Sequence, residues 1–199
     1  MEAIVAILAG GRSTRMGRPK AAVELAGKPL IYHPIDAARA VGLEPWVIAK
    51  PGSALPPLEC RVLDEPEQPS HPLTGIVTAL RATAPWAVLA LGADMPFVED
   101  KLMAWLASQT ATAVAEVDGR LQPLLARYDA AEVDQLARAL ERGAAARDAV
   151  RELEPQIVTE EDLRRFGDPR VLSFNVNTPA DLREAERIIA ARAALPRSP

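Results

Sequence analysis

One cysteine, Cys60, stands alone in 199 residues. No intramolecular disulfide can form, and a zinc site built from several thiolates is excluded. The two histidines, His33 and His71, have no ligand spacing to Cys60 or to each other, so the mixed Cys/His zinc patterns are absent too. Aromatic residues make up only 4% of the chain, while Ala, Leu and Val recur throughout, which suits helices packed on a parallel sheet better than an aromatic-rich β-sandwich. Positive charge is not in excess. With 23 Lys and Arg against 27 Asp and Glu the net charge is -4, which gives no sequence-wide attraction to nucleic acid or to an anionic membrane, and any phosphate binding must be local. Long apolar runs are missing as well: Ile4 to Ala9 is broken at once by Gly10, Gly11 and Arg12, too short to span a bilayer and without the basic start and cleavage site of a signal peptide. The expected setting is a reducing cytoplasm.

What is present is enough for a core. A hydrophobic content of 49% suits one α/β domain, which at this length buries about 70% of its unfolded surface. The expected domain runs over residues 1–195, with 196–199 as a frayed tail. Ile4–Ala9 reads as the central strand, covered on both faces. Helical spacing follows over Pro29–Val41, with Gly42 as its C-terminal cap. Strands are expected at Trp46–Ala49, Cys60–Leu63 and Trp86–Leu91, and helices at Thr74–Thr83, with Thr74 as N-cap, and Asp100–Ser108. That alternation implies parallel βαβ units. Asp118-Gly119 then predicts a tight hairpin between Ala113–Val117 and Leu121–Tyr128, an antiparallel addition to the sheet. Ala130–Leu153 reads as helix broken near Gly143, Gln156–Val158 and Val171–Phe174 as edge strands, and Pro179–Ala194 as the closing helix.

Three segments carry chemistry. Gly10, Gly11 and Gly17 with Arg12, Arg15, Arg18 and Lys20 form a glycine-rich, cationic loop after the first strand, where backbone N–H groups and cationic side chains can surround a polyphosphate. A solvated surface loop has the same composition. The Walker spacing fails, because Gly17 is followed by Arg18, and the Gly-x-Gly-x-x-Gly fingerprint fails at Arg12 and Ser13. Asp94 follows the strand Trp86–Leu91, at the edge where open α/β sheets bind ligands, and a carboxylate there can hold Mg²⁺ or cap its own turn before Pro96. Asp64 ends the strand Cys60–Leu63 on that same edge, suited to a nucleotide contact or to starting the turn into Glu65-Pro66. Thr178, Pro179 and Asp181 are explained by helix initiation, whereas Asn175 and Asn177 are not.

Leu8-Ala9-Gly10-Gly11, Arg15-Met16-Gly17, Lys20, Pro72-Leu73-Thr74-Gly75, Asp94-Met95-Pro96 and Phe174-Asn175-Val176-Asn177-Thr178-Pro179-Ala180-Asp181-Leu182 together resemble the molybdenum cofactor guanylyltransferases, over nearly the whole chain. The resemblance implies a Rossmann-like, three-layer α/β/α nucleotidyltransferase fold and transfer of GMP from GTP to the terminal phosphate of molybdopterin, with Mg²⁺ as cofactor. It implies GTP contacts from Leu8, Ala9, Gly10, Gly11, Lys20, Asp64 and Asp94, and Mg²⁺ on Asp94. Catalytic roles fall to Lys20, Arg15 and Asp94, and the pterin side to Gln122, Asn175 and Asn177. GTP, molybdopterin and molybdoenzyme maturation proteins are the implied partners. Three positions depart from the pattern: His71 replaces a glycine, Ala93 a cysteine, and Ala49-Lys50-Pro51 stands where an asparagine is usual. Competing readings are a molybdopterin cytidylyltransferase or sugar-nucleotide synthase, and a non-catalytic nucleotide or pterin carrier, against which the pairing of Lys20 with Asp94 argues.

Overall fold

Six apolar residues in succession have no polar face to offer water, so the first strand must be covered on both sides. The computed structural model describes residues 3–10 and 20–194 and meets that requirement. In chain order it runs through β1 (Ala3–Leu8), a 3₁₀ turn (Lys20–Ala22), β2 (Glu24–Leu25), β3 (Lys28–Pro29), α1 (Tyr32–Ala40), β4 (Glu44–Ala49), β5 (Arg61–Asp64), α2 (Pro72–Thr83) and β6 (Ala87–Gly92). There follow α3 (Asp100–Ala107), β7 (Ala113–Val117), β8 (Arg120–Tyr128), a 3₁₀ turn (Ala130–Glu132), α4 (Val133–Glu141), α5 (Ala146–Arg151), β9 (Gln156–Val158), α6 (Glu160–Arg164), α7 (Pro169–Leu172) and α8 (Pro179–Ala194).

The seven long strands form one sheet in the order β5-β4-β1-β6-β8-β7-β9. β5, β4, β1 and β6 are parallel, and β8 is antiparallel to both β6 and β7. Strand alternation sorts the core into two layers. Val5 and Ile7 pack with α1 and α3 on one face, and Ile4 and Ala6 with α2, α4 and α5 on the other. Each fully buried Ile or Leu among them contributes about 1.5–3 kcal/mol. A third, smaller cluster of Val23, Leu25, Leu30, Phe97, Val176 and Ala185 fastens α8 to the β2–β3 hairpin and to the segment after β6. Arg192 reinforces it, lying 5.3 Å over the Phe97 ring and 2.9 Å from Glu99. No helix among the described residues is long and apolar enough to cross a membrane.

The three-layer, mostly parallel architecture with an antiparallel addition is the one expected from sequence. Several local expectations differ. Helix α1 starts at Tyr32, because Ala26 (φ 53°) and Gly27 (φ 75°) make a two-residue turn that pairs Pro29 with Glu24 instead. Helix α2 starts at Pro72 with His71, not Thr74, as N-cap; the Thr74 hydroxyl donates to the Pro69 carbonyl at 2.9 Å. Val171–Phe174 is not a strand. Asp168 accepts from the Arg170 N–H at 2.9 Å and Pro169 occupies the first helical position, and this N-terminal signal overrides the β-propensity of the apolar residues after it. Strand β5 runs one residue later than expected, ending on Asp64.

Candidate active site

Four backbone hydrogen bonds stitch the strand ends together. Glu65 N–H donates to Ala49 O (2.8 Å), Ala9 N–H to Ile48 O (2.8 Å), Ala93 N–H to Leu8 O (3.0 Å) and Val176 N–H to Asp94 O (2.9 Å). The chain segments leaving β5, β1 and β6 and the segment before α8 are thereby held along one sheet edge, the carboxyl end of the parallel strands, where such folds bind ligands. A cleft of about 180 Å³ opens there, lined by Leu8, Ala9 and Gly10 after β1, Ala21, Glu65 to Pro72 in part, Ala93 and Asp94 after β6, and Leu124 of β8.

Of the residues expected at the site, Leu8, Ala9, Gly10 and Asp94 line this cleft. Gly11 and Arg15 lie outside the described residues, as do the Lys20 side chain and the tail 196–199. Asp94 is half-buried, with one carboxylate oxygen 2.4 Å from where a Cβ on Gly92 would stand, so the glycine at the end of β6 is what lets this carboxylate fold back over the strand. Asn175 and Asn177 flank Val176, which is bonded to Asp94 O. The Asn175 amide donates to Ser173 O (2.8 Å) and that of Asn177 to Asn175 O (3.4 Å). The loop's exit is set by Asp181, whose carboxylate accepts from the N–H groups of Asn177 (2.9 Å) and Thr178 (2.8 Å), while the Thr178 hydroxyl accepts from Asp181 N–H (3.2 Å). This is a reciprocal cap on α8.

Two expected residues are not among the cleft's lining residues. Asp64 is exposed and is not one of them. Gln122 is not either: its amide donates to Arg120 O at 3.1 Å, and it is Leu124, two residues on, that reaches the cleft.

A second carboxylate on the cleft's lining, beside that of Asp94, is Glu65, 7% exposed. It is threaded between two glycines: a Cβ on Gly10 would lie 1.8 Å from Glu65 Oε1, and a Cβ on Gly75 would lie 2.8 Å from Oε2. Burial pushes its pKa above the ordinary glutamate value, and the Lys50 ammonium pulls partly the other way. Lys50 also donates to the Glu67 carbonyl, and so ties down the loop that delivers Glu65. His71, also on the cleft's lining, caps α2, its Nδ1 accepting from Leu73 N–H at 3.3 Å, and burial lowers its pKa. Sequence reasoning missed Glu65 and Lys50. The His71-Pro72 pair was the available signal for the cap, since a polar residue before a proline at the first helical position marks a helix start.

The cleft and the carboxylates on its lining can together hold a nucleotide. The described residues contain no cluster of three or more His, Cys, Asp or Glu suited to a metal. A single protein carboxylate such as that of Asp94 suits an ion shared with substrate phosphates, as Mg²⁺ commonly is, rather than one held in an all-protein cage.

Comparison with known proteins agrees. Residues 5–157 match the family described as MobA-like NTP transferase domain. A probable molybdenum cofactor guanylyltransferase of Pelotomaculum thermopropionicum is 33% identical over 96% of this chain and 94% of its own length. Among solved structures, molybdopterin-guanine dinucleotide biosynthesis protein A from Archaeoglobus fulgidus superposes with a TM-score of 0.78 at 27% identity, covering 94% of this chain and 98% of its own. The 2-C-methyl-D-erythritol 4-phosphate cytidylyltransferase of Thermus thermophilus shares the fold, with a TM-score of 0.69 at 23% identity over 96% of this chain and 100% of its own.

Proposed function

The chain belongs to the MobA-like NTP transferase family and, within it, to the molybdenum cofactor guanylyltransferases, and on that premise we propose that this nucleotidyltransferase moves GMP from GTP to the terminal phosphate of molybdopterin. An oxygen of the pterin's phosphate attacks the α-phosphorus in line, the new phosphoanhydride bond forms, and the bond to the β-phosphate breaks to release pyrophosphate. The attacking oxygen is already anionic, so no general base is needed, and catalysis reduces to positioning and charge neutralisation. Asp94 is the residue that would hold Mg²⁺, which when bound supplies charge neutralisation at the phosphates. Arg15 and Lys20 are assigned to the leaving pyrophosphate, as cationic groups that would stabilise its charge. Asn175 and Asn177 are assigned to the pterin, on the support of their tether to Asp94 through Val176. A cytoplasmic setting and hand-over to molybdoenzyme maturation proteins complete the reading.

The observation that carries the choice of base is the carboxylate of Glu65 in the cleft. Because a cytidylyltransferase has the same fold, the fold does not select the nucleotide. Glu65 does. Its negative charge repels a triphosphate, so that end of the cleft suits the base. Two carboxylate oxygens match the adjacent N1–H and N2–H₂ donors of guanine, whereas cytosine sets a lone pair beside its single donor. A buried acceptor left facing a lone pair penalises the wrong base and yields discrimination of up to several orders of magnitude. The test is competition between GTP and CTP in one tube with molybdopterin and Mg²⁺, with ITP, which lacks the 2-amino group, run in parallel. GTP is expected to win, with ITP about tenfold or more behind. Equal or greater CTP incorporation overturns the guanylyl reading.

A further inference from the structure

His71 occupies a position where the backbone needs only a small cap, yet it brings an imidazole into the cleft. The cap itself settles the ring's tautomer. Nδ1 accepts from Leu73 N–H, so it carries no proton, and the neutral ring must hold its proton on Nε2. Burial and the positive end of the twelve-residue helix α2 both disfavour a second proton, so the ring stays a neutral donor near neutral pH. Nε2–H is then a fixed donor on the ring edge away from Leu73.

Gly75 lies in the first turn of the helix that His71 caps. Gly75 is the residue whose missing Cβ makes room for Glu65 Oε2. The imidazole at the start of α2 and the carboxylate seated against its first turn both line the cleft. We propose that His71 is a specificity-determining residue, its Nε2–H donating to O6 of guanine while Glu65 accepts from N1–H and N2–H₂. This rests on the guanylyl reading above and adds the third arm of the base's hydrogen-bonding edge. The resulting set, one donor beside two acceptors, complements guanine. Adenine would bring its N6 donor against the imidazole donor and its N1 lone pair against the carboxylate.

The test uses 6-thio-GTP, in which sulfur, a weak acceptor, replaces O6 while both donors to Glu65 remain. Dissociation constants for GTP and 6-thio-GTP are measured with Mg²⁺ on the wild-type protein and on His71→Asn. Asparagine is among the best N-caps and can accept from Leu73 N–H, but lacks the reach of Nε2. The wild type is expected to bind GTP about tenfold or more tightly than 6-thio-GTP, and His71→Asn to lose about tenfold for GTP with little change for the thio analogue, so that the ratio collapses. Equal binding of the two nucleotides by the wild type overturns the inference whether or not the variant folds. An unchanged ratio in His71→Asn also overturns it and leaves His71 as a cap alone, with the preference for GTP over CTP intact. A wild-type preference for CTP removes the guanylyl reading and this inference with it.

Discussion

The carboxylate of Glu65 occupies the space that any side chain on Gly10 would need, with Oε1 only 1.8 Å from the site of a Gly10 Cβ. Gly75 gives the same room on the other side, and its missing Cβ would also stand 2.8 Å from Leu8 Cδ2. Gly75 lies inside α2, where alanine is the better helix former by about 1 kcal/mol. Gly75→Ala should therefore keep a melting temperature close to that of the wild type, since the helical gain offsets the local crowding. The displaced Glu65 should raise KM for GTP about tenfold. Thermal melts and steady-state kinetics on the same preparation check the split, and unaltered kinetics would mean that Glu65 moves aside without consequence.

Stability should depend on pH through Glu65. Its pKa is raised in the folded protein, by burial first, with Lys50 offsetting part of the shift. A group of this kind favours folding most fully below its unfolded pKa, near 4.5, and that contribution is lost as the pH rises through the higher folded-state value. Glu65→Gln is neutral throughout. Its melting temperature should exceed the wild type's at about pH 7 to 8 and converge on it towards about pH 4. A gap that stays constant with pH would show the carboxylate to be compensated in the folded state.

Asp94→Asn is nearly isosteric and leaves the backbone bond from Val176 to the residue 94 carbonyl untouched. The fold should persist while turnover falls by about 10²-fold or more, the loss typical of removing one electrostatic contributor at a transition state. Pyrophosphate release measured across a Mg²⁺ titration is the assay. A titration curve superimposable on that of the wild type would take Asp94 out of the metal site.

Asp181 receives two backbone N–H groups, those of Asn177 and Thr178. Asp181→Ala should cost about 1 kcal/mol of stability as a lost cap. In a domain of this size that is a drop of about 2–4 °C in melting temperature. Because the same carboxylate shapes the Asn175–Asn177 loop, KM for the pterin should rise more than KM for GTP. Equal changes in both would argue that the loop serves the whole fold rather than one substrate.

Local chemistry by itself determined much of this protein. The apolar run Ile4–Ala9 could only be a covered strand, Asp118 and Gly119 take the positive φ values (50° and 68°) that a two-residue hairpin requires, and Thr178-Pro179 with Asp181 starts α8 where those residue types must. Such features depend on a few consecutive residues, and so they are readable one segment at a time. The position of Asp94 on the ligand-binding edge was equally legible, because it follows an unmistakable buried strand. Which of two adjacent carboxylates enters the cleft was not. Asp64 and Glu65 sit side by side before Pro66, and only the pairing of β5 with β4 separates them. Ala49 opposite Asp64 is the last register pair, and Glu65, the first residue beyond it, turns inward between Gly10 and Gly75. A register shifted by one residue exchanges the side chains between faces, and that register is set by the pairing with β4. Packing likewise brings Leu124 rather than Gln122 to the cleft. In each case composition allowed both residues, and tertiary packing selected one.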